Sequence, residues 1–189
     1  MQADFEVELG SGDETLELPW TAPEGGPRYY DLKRQPELLL QVEESQRVRE
    51  LAEFLVAANL PDGLFETAKC DAWFTEEMNA DDEIFGATGK FGSYIDLLFS
   101  DASARFSFAE HEDLVRRLVA LLKRVPEIPA AAEFLIRRCY YHEESRIRDG
   151  FYITFYLFGY GDDELQARQR WAIALKLTEN AVRQLSATR

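Results

Sequence analysis

Two cysteines and two histidines are the residue types in this chain most suited to binding a transition metal, namely Cys70, Cys139, His111 and His142. Cys139 and His142 stand three positions apart in an apolar stretch that is typical of a β-strand. Successive strand residues point to opposite faces, so these two side chains cannot close on one ion. We therefore predict no metal site. We expect Cys70 and Cys139 to be unlinked thiols buried under the helices, because a free cysteine behaves as a small hydrophobic residue.

General acid–base chemistry is best served by His142, which is followed by Glu143 and Glu144. Imidazole is the side chain that titrates nearest to neutral pH. However, no serine or cysteine nucleophile stands beside His142 at a local spacing. His111 lies one turn before an apolar helical stripe, which is typical of a histidine satisfied at a helix start. The sequence therefore predicts no catalytic residue and no cofactor.

An acidic run at residues 76–83 and three glycines at Gly86, Gly89 and Gly92 resemble ion-binding loops only superficially. The acidic run lacks the alternating ligand positions and the final bidentate glutamate of a calcium loop. The glycines are not flanked by a strand and a helix, and no Lys-Ser or Lys-Thr pair follows them, as a phosphate-binding loop requires. Both features favour a solvated hairpin loop instead.

The charge balance argues against two classes of partner. The formal net charge is −14, and all of the excess lies in residues 1–110. Such a chain is repelled by phosphate backbones and by anionic lipid, so we expect neither nucleic acid nor membrane as a partner. The basic and aromatic residues at 137–141 do not outweigh this charge. The N-terminus has no basic or apolar leader, and we therefore expect a cytoplasmic protein.

The elements that position these residues follow from hydrophobic periodicity. Alternating apolar and acidic residues predict a β-hairpin near the N-terminus, with Phe5 in its first strand and Leu16 in its second. Helices are predicted from about Glu44, from Ser107, where Glu110 completes a capping box, and after Gly161. Four strand-like runs lie at roughly residues 64–75, 93–100, 133–142 and 151–160.

The resulting order α-β-β-α-β-β-α predicts an α+β fold, with helices on one face of a mainly antiparallel sheet. We interpret residues 1–189 as one domain, composed of an N-terminal hairpin and connection (1–42), an α-β-β-α part (43–125) and a β-β-α part (126–189). Residues 69–71 resemble 138–140 and residues 92–97 resemble 150–155, which indicates duplicated ββα units.

Aligning the two units on their cysteines assigns residues to the two faces of the sheet. The predicted core face carries Cys70, Cys139 and Phe155, with Arg137 as its one polar misfit. The other face is both polar and aromatic, which suits neither a dry core nor ordinary solvent. Its candidate binding residues are Asp71, Trp73, Tyr94, Asp96, Arg138, Tyr140, His142, Tyr152 and Tyr156.

Two functions are compatible with such a face. The first is a non-enzymatic protein-interaction module, adaptor-like or chaperone-like, that binds a protein partner or a second copy of itself, because aromatic residues and arginine are enriched at interfaces. The alternative is a small-molecule binder or enzyme with a pocket around His142, Asp71 and Asp96. An enclosed cavity over this face would favour the ligand, and a flat face the partner. Residues 1–42 are a third candidate to cover it.

Overall fold

From residue 43 onward, the described helices and strands follow one another in the predicted order α-β-β-α-β-β-α, with the first helix divided in two. The computed structural model describes residues 1–10, 15–21, 28–79, 82–125, 127–143 and 146–187. The strands of these residues are β1 (Gln2–Glu8), β2 (Leu16–Leu18), β3 (Phe65–Thr75), β4 (Gly89–Phe99), β5 (Ala130–Glu143) and β6 (Arg146–Gly161). The α-helices are α1 (Glu43–Arg47), α2 (Arg49–Ala58), α3 (Phe108–Leu122) and α4 (Glu164–Ser186). Short 3-10 helices are found at Pro36–Gln41, Asp82–Phe85 and Ala104–Phe106.

Two predicted helix starts are confirmed by capping hydrogen bonds. At α3, the Ser107 hydroxyl accepts from the backbone N–H of Glu110 at 3.4 Å. At α4, the Asp163 carboxylate accepts from the backbone N–H of Gln166 at 2.8 Å. Such caps satisfy first-turn donors that have no partner within the helix. The helix predicted from Glu44 is instead divided, because extended backbone at Val48 (φ −127°, ψ 95°) separates α1 from α2.

The strands form one mixed sheet in the order β1-β5-β6-β4-β3, and β2 also pairs with β5. The pairs β3/β4, β4/β6 and β5/β6 are antiparallel, whereas β1 and β2 run parallel to β5. The predicted α+β fold is therefore confirmed. The succession ββα occurs twice, as β3-β4-α3 and β5-β6-α4. That one unit is a duplicate of the other stays a prediction.

The predicted N-terminal hairpin is corrected by the strand pairing. β1 lies beside Ala131–Arg137 and β2 beside Cys139–Tyr141, so the two strands follow each other along the same edge of β5. Both run parallel to β5, whereas hairpin strands run antiparallel to each other. The 14 residues of β5 provide an edge long enough for both. Alternating apolar residues identify a strand, but they do not identify its neighbour.

Helices α2, α3 and α4 cover one face of the sheet and enclose the main core. Its largest buried side chains are Trp171, Phe65, Phe99, Phe134 and Phe155. The indole N–H of Trp171 donates to Ser93 Oγ at 2.9 Å, so the polar atom of this buried ring is satisfied. Gly159 on β6 allows the close approach of α4, because a Cβ at this position would lie 2.2 Å from the backbone nitrogen of Trp171.

Candidate functional site

Four aromatic rings contact one another in a closed loop on the sheet face opposite the helices. The centroid distances are 6.4 Å for Trp73–Tyr94, 6.1 Å for Tyr94–Tyr156, 6.3 Å for Tyr156–Phe158 and 6.5 Å for Phe158–Trp73. We call these four residues the aromatic quartet. Each ring is half-buried. The quartet therefore presents partly exposed aromatic surface on a rigid sheet.

A glycine at the centre of the quartet explains why its rings can meet. Gly92 on β4 pairs with Trp73 on one side and with Phe158 on the other. A Cβ at Gly92 would lie 3.0 Å from the Phe158 ring and 3.1 Å from the Trp73 ring. Because glycine has no side chain, the two neighbouring rings close over its position.

Carboxylates border the quartet on its β5 side. Glu133 is the register partner of Tyr156 on one side and of Asp4 on the other, and Glu6 and Glu8 continue along β1. We call Asp4, Glu6, Glu8 and Glu133 the acidic strip. The pKa of Glu133 is raised by partial burial and then by the charges of Glu6 and Glu8. These carboxylates therefore repel one another on a surface that a positive charge would stabilise.

A groove of about 780 Å³ lies where the aromatic quartet meets the acidic strip. Its lining includes Phe158 of the quartet and three carboxylates of the strip. Two lysines, Lys90 and Lys123, also line it. Lys90 is paired with the buried carboxylate of Asp82, so its charge is already neutralised within the protein. The groove therefore combines an aromatic wall with three carboxylates of the acidic strip.

A polar row crosses the same face beside the quartet. Thr154 on β6 donates to Asp96 Oδ1 on β4 at 2.7 Å. Arg137 on β5 donates to Thr154 Oγ1 at 3.3 Å and forms an ion pair of 2.7 Å with Glu8 on β1. Burial raises the pKa of Asp96 to about 6, although the hydrogen bond from Thr154 opposes the shift. Four neighbouring strands therefore each contribute one polar side chain to this row.

The N-terminal segment covers one end of this face. Leu16, Leu18, Trp20 and Tyr29 pack with Tyr152 and other residues of β4, β5 and β6 in a second apolar cluster. The indole N–H of Trp20 donates to the carbonyl of Ala68 at 3.4 Å. At the other end, the Phe85 ring stacks on Tyr160 at 4.2 Å. The quartet lies between these two covered ends.

A second cavity of about 670 Å³ lies under the edge of the N-terminal segment. Asp96 and Tyr152 of the sheet line it, together with Lys69 of β3 and with Trp20. The Lys69 ammonium lies 5.0 Å from the centroid of the Trp20 ring. This cavity is separate from the groove of the acidic strip, because the two share no lining residue.

Six of the nine sequence-predicted site residues share the face opposite the helices. These are Asp71, Trp73, Tyr94, Asp96, Tyr152 and Tyr156, as their cross-strand register requires. These six residues differ in their burial and in their partners. Tyr152 is buried under the N-terminal segment, and Asp71 pairs with Arg47 at 3.2 Å at the β3 edge. Asp96 lies in the polar row, and the other three belong to the quartet.

The remaining three predicted residues point to the face that the helices cover, contrary to the prediction. Arg138 is the register partner of Phe151, whose ring packs at 5.6 Å against Phe108 of α3. Tyr140 and His142 share that parity along β5. His142 Nε2 lies 2.9 Å from Glu17 Oε2, and both side chains are substantially exposed. His142, Asp71 and Asp96 therefore do not converge on one pocket.

The error arises from aligning the two cysteines. β3 has a register shift between Thr67 and Cys70, which reverses the face of the residues that follow. Cys70 pairs with Ile95 and packs on the helix side, whereas Cys139 pairs with Gly150 and lies in the cluster under the N-terminal segment. Both thiols are free, as predicted, but Cys70 is half-buried and only Cys139 is fully buried. Equivalent positions in the sequence are thus not equivalent in the sheet.

The sequence analysis did not assign four functional residues to this face, namely Phe158, Glu133, Arg137 and Glu8. Phe158 has the same strand parity as Tyr156 and could have been included on that ground. The apparent misfit of Arg137 among apolar residues was the signal that the face of β5 had been assigned wrongly. The role of Glu8 depends on the parallel pairing of β1 with β5, for which we found no local signal in the sequence.

Neither known proteins nor two other kinds of site assign a function to this chain. The chain matches no protein-family model, no curated protein and no solved structure. Within the described ranges, no group of three or more His, Cys, Asp or Glu side chains is arranged to hold a metal ion. No helix of those ranges has both the length and the apolar character to cross a bilayer.

Proposed function

We propose that this protein is a protein-interaction module whose open sheet face binds a basic segment of a partner protein. The observation that carries this proposal is the groove in which half-buried aromatic rings adjoin the acidic strip. Aromatic side chains contribute strongly to protein interfaces, and an arginine or lysine can stack on their faces. The carboxylates supply the complementary charge for such a cation.

Electrostatics favour a partner over a second copy of this chain. In a symmetric dimer formed through this face, each copy would present its own acidic strip to the other. Like charges brought together at an interface oppose association. A basic segment would instead relieve the repulsion among the strip carboxylates that line the groove, namely Asp4, Glu6 and Glu133. The net charge of −14 also accelerates the encounter with a positively charged partner.

Binding of arginine-containing peptides tests the proposal. We expect an arginine-containing peptide library to yield binders, measured by fluorescence anisotropy. The same peptides with citrulline in place of arginine should bind weakly, because citrulline retains the size of the side chain but not its charge. Affinity should also fall with salt, since the attraction involves partly exposed charges.

A pair of matched double variants locates the binding surface. W73S/Y156S should weaken peptide binding by at least about tenfold, because it removes two rings of the quartet. L165S/I173S removes exposed apolar surface from α4 (67% and 52% exposed) and should leave binding unchanged. Equal affinity of the two double variants would contradict the proposed face. Equal affinity for arginine and citrulline peptides would contradict the basic partner.

A further inference from the structure

The cavity beside Asp96 has in its wall a buried carboxylate that forms no ion pair with the described residues. Asp96 is 5% exposed, and it lines the cavity of about 670 Å³. Among the described residues, Asp96 accepts a side-chain hydrogen bond from Thr154 at Oδ1 and forms no ion pair. Oδ2 therefore has no protein donor in that part of the chain. A buried carboxylate without a cationic partner is unfavourable, and a ligand can supply that partner.

An asparagine at position 96 would serve the fold better than an aspartate. Its side-chain oxygen could accept the same hydrogen bond from Thr154 without burying a charge. The elevated pKa of Asp96, caused mainly by burial, reflects the cost of that charge to the folded state. A residue that costs stability at the wall of a cavity indicates a functional role.

Lys69 provides a positive charge in the wall of the same cavity. Its ammonium lies over the Trp20 ring and attracts Asp96 at a distance, but Lys69 and Asp96 do not form an ion pair with each other. Trp20 and Lys69 also line an adjoining cavity of about 640 Å³ at the β3 edge, so a bound molecule has room to extend past them. The walls near Asp96 also include Tyr152 and Leu16, which provide apolar surface.

We propose that this cavity binds a small zwitterion of the amino-acid type. Its ammonium group donates to Asp96 Oδ2, its carboxylate pairs with Lys69, and an apolar side chain packs against Trp20 and Tyr152. A simple cation would be repelled by Lys69, and a simple anion by Asp96 and by Glu17, the second carboxylate of the lining. This site goes beyond the proposed binding of a basic segment and uses different residues.

Three probes that share a phenylethyl skeleton separate the contributions of the two charges. L-phenylalanine carries both groups, phenethylamine only the ammonium, and 3-phenylpropionate only the carboxylate. We expect L-phenylalanine to bind most tightly by isothermal titration calorimetry and to change the tryptophan fluorescence, to which Trp20 contributes. Binding of either single-charge probe as tight as that of L-phenylalanine, or absence of binding by all three, would overturn the proposal.

Variants of the two charged residues complete the test. D96N should weaken L-phenylalanine binding by at least about tenfold, because the ammonium group loses an ionised acceptor. K69M should weaken L-phenylalanine but not phenethylamine. I173S, on the outer surface of α4, is the control for general effects. Circular dichroism and thermal melting establish that each variant is folded, and unchanged affinity in a folded D96N protein would refute the assignment.

Discussion

Asp96 on β4 and Thr154 on β6 are register partners, and the Thr154 hydroxyl donates to Asp96 Oδ1 at 2.7 Å. The bond joins two neighbouring interior strands of the sheet on the face opposite the helices. It holds a carboxylate at a position that is 5% exposed, beside half-buried aromatic rings. This relationship has a direct consequence for stability, because the hydrogen bond does not fully offset the burial of the charge.

We predict that wild-type stability falls as pH rises through the range in which Asp96 ionises. Burial raises the pKa of Asp96 from 3.8 to about 6, while Lys69 and Arg137 attract its charge and oppose the shift. Between these values the folded state binds more protons than the unfolded state, so this group contributes less stability at higher pH. At pH 7, D96N should be more stable by an amount on the order of 2–3 kcal/mol.

Urea unfolding of both proteins at several pH values measures this effect. Glu133 also has a raised pKa and titrates in the same direction, so the informative quantity is the difference between wild type and D96N. That difference should be small near pH 4 and should grow up to about pH 7. A difference that is independent of pH would contradict the burial of an ionised Asp96.

The sequence predicted the helices and strands of this fold better than it predicted which strands pair in the sheet. Apolar periodicity identified the α+β class, and the capping box at Ser107 marked one helix start. The pairing of β1 and β2 with β5 is a contact between distant segments, and local alternation contains no information about it.

The candidate face was predicted in part, because strand parity is reliable only within an uninterrupted register. Strand parity correctly grouped Tyr94 and Asp96 with Tyr152 and Tyr156. The register shift in β3 broke the assumed equivalence of Cys70 and Cys139, and this moved Arg138, Tyr140 and His142 to the wrong face. A bulge of this kind is a backbone feature with little trace in residue type.

Adjacent residues of β6 should differ in their effect on stability. Phe155 is fully buried and stacks on Phe134 at a centroid distance of 4.9 Å, so F155A should lower the free energy of unfolding by about 3–5 kcal/mol. Tyr156 is half-buried, and Y156A should cost about 1 kcal/mol through the loss of ring contacts in the quartet. Chemical denaturation measures both, and equal losses would mean that both faces are covered.

Two glycines of the sheet should respond differently to a methyl group. At Gly159 a Cβ would lie 2.2 Å from the backbone of α4, which cannot move without displacing the helix. We expect G159A to destabilise the protein by at least about 2 kcal/mol. At Gly92 the nearest atoms belong to half-buried rings at 3.0 Å, which can shift, so G92A should cost less. A smaller loss in G159A than in G92A would contradict the close packing of α4.

The two thiols should react slowly with maleimides in the native protein. Burial raises the pKa of both Cys70 and Cys139 to about 12, so the thiolate is scarce at pH 8. Cys139 is also inaccessible, at 1% exposure, whereas Cys70 is half-buried. Mass spectrometry should therefore detect one slow adduct, at Cys70, before unfolding and two adducts after it. Rapid double labelling would contradict the packing of both residues.

Basic-peptide binding should depend on pH through Glu133. Its carboxyl has a raised pKa because of partial burial and the charges of Glu6 and Glu8, so it becomes fully charged at a higher pH than an ordinary glutamate. Since the ionised form attracts a cation, peptide affinity should increase as pH rises through that range. E133Q should remove much of this increase and weaken the salt dependence. E53Q removes the same charge from an exposed ion pair with Arg49 on α2, and should bind like wild type at each pH. If E133Q and E53Q gave the same affinity profile against pH, the acidic strip would not be the surface that the basic segment contacts.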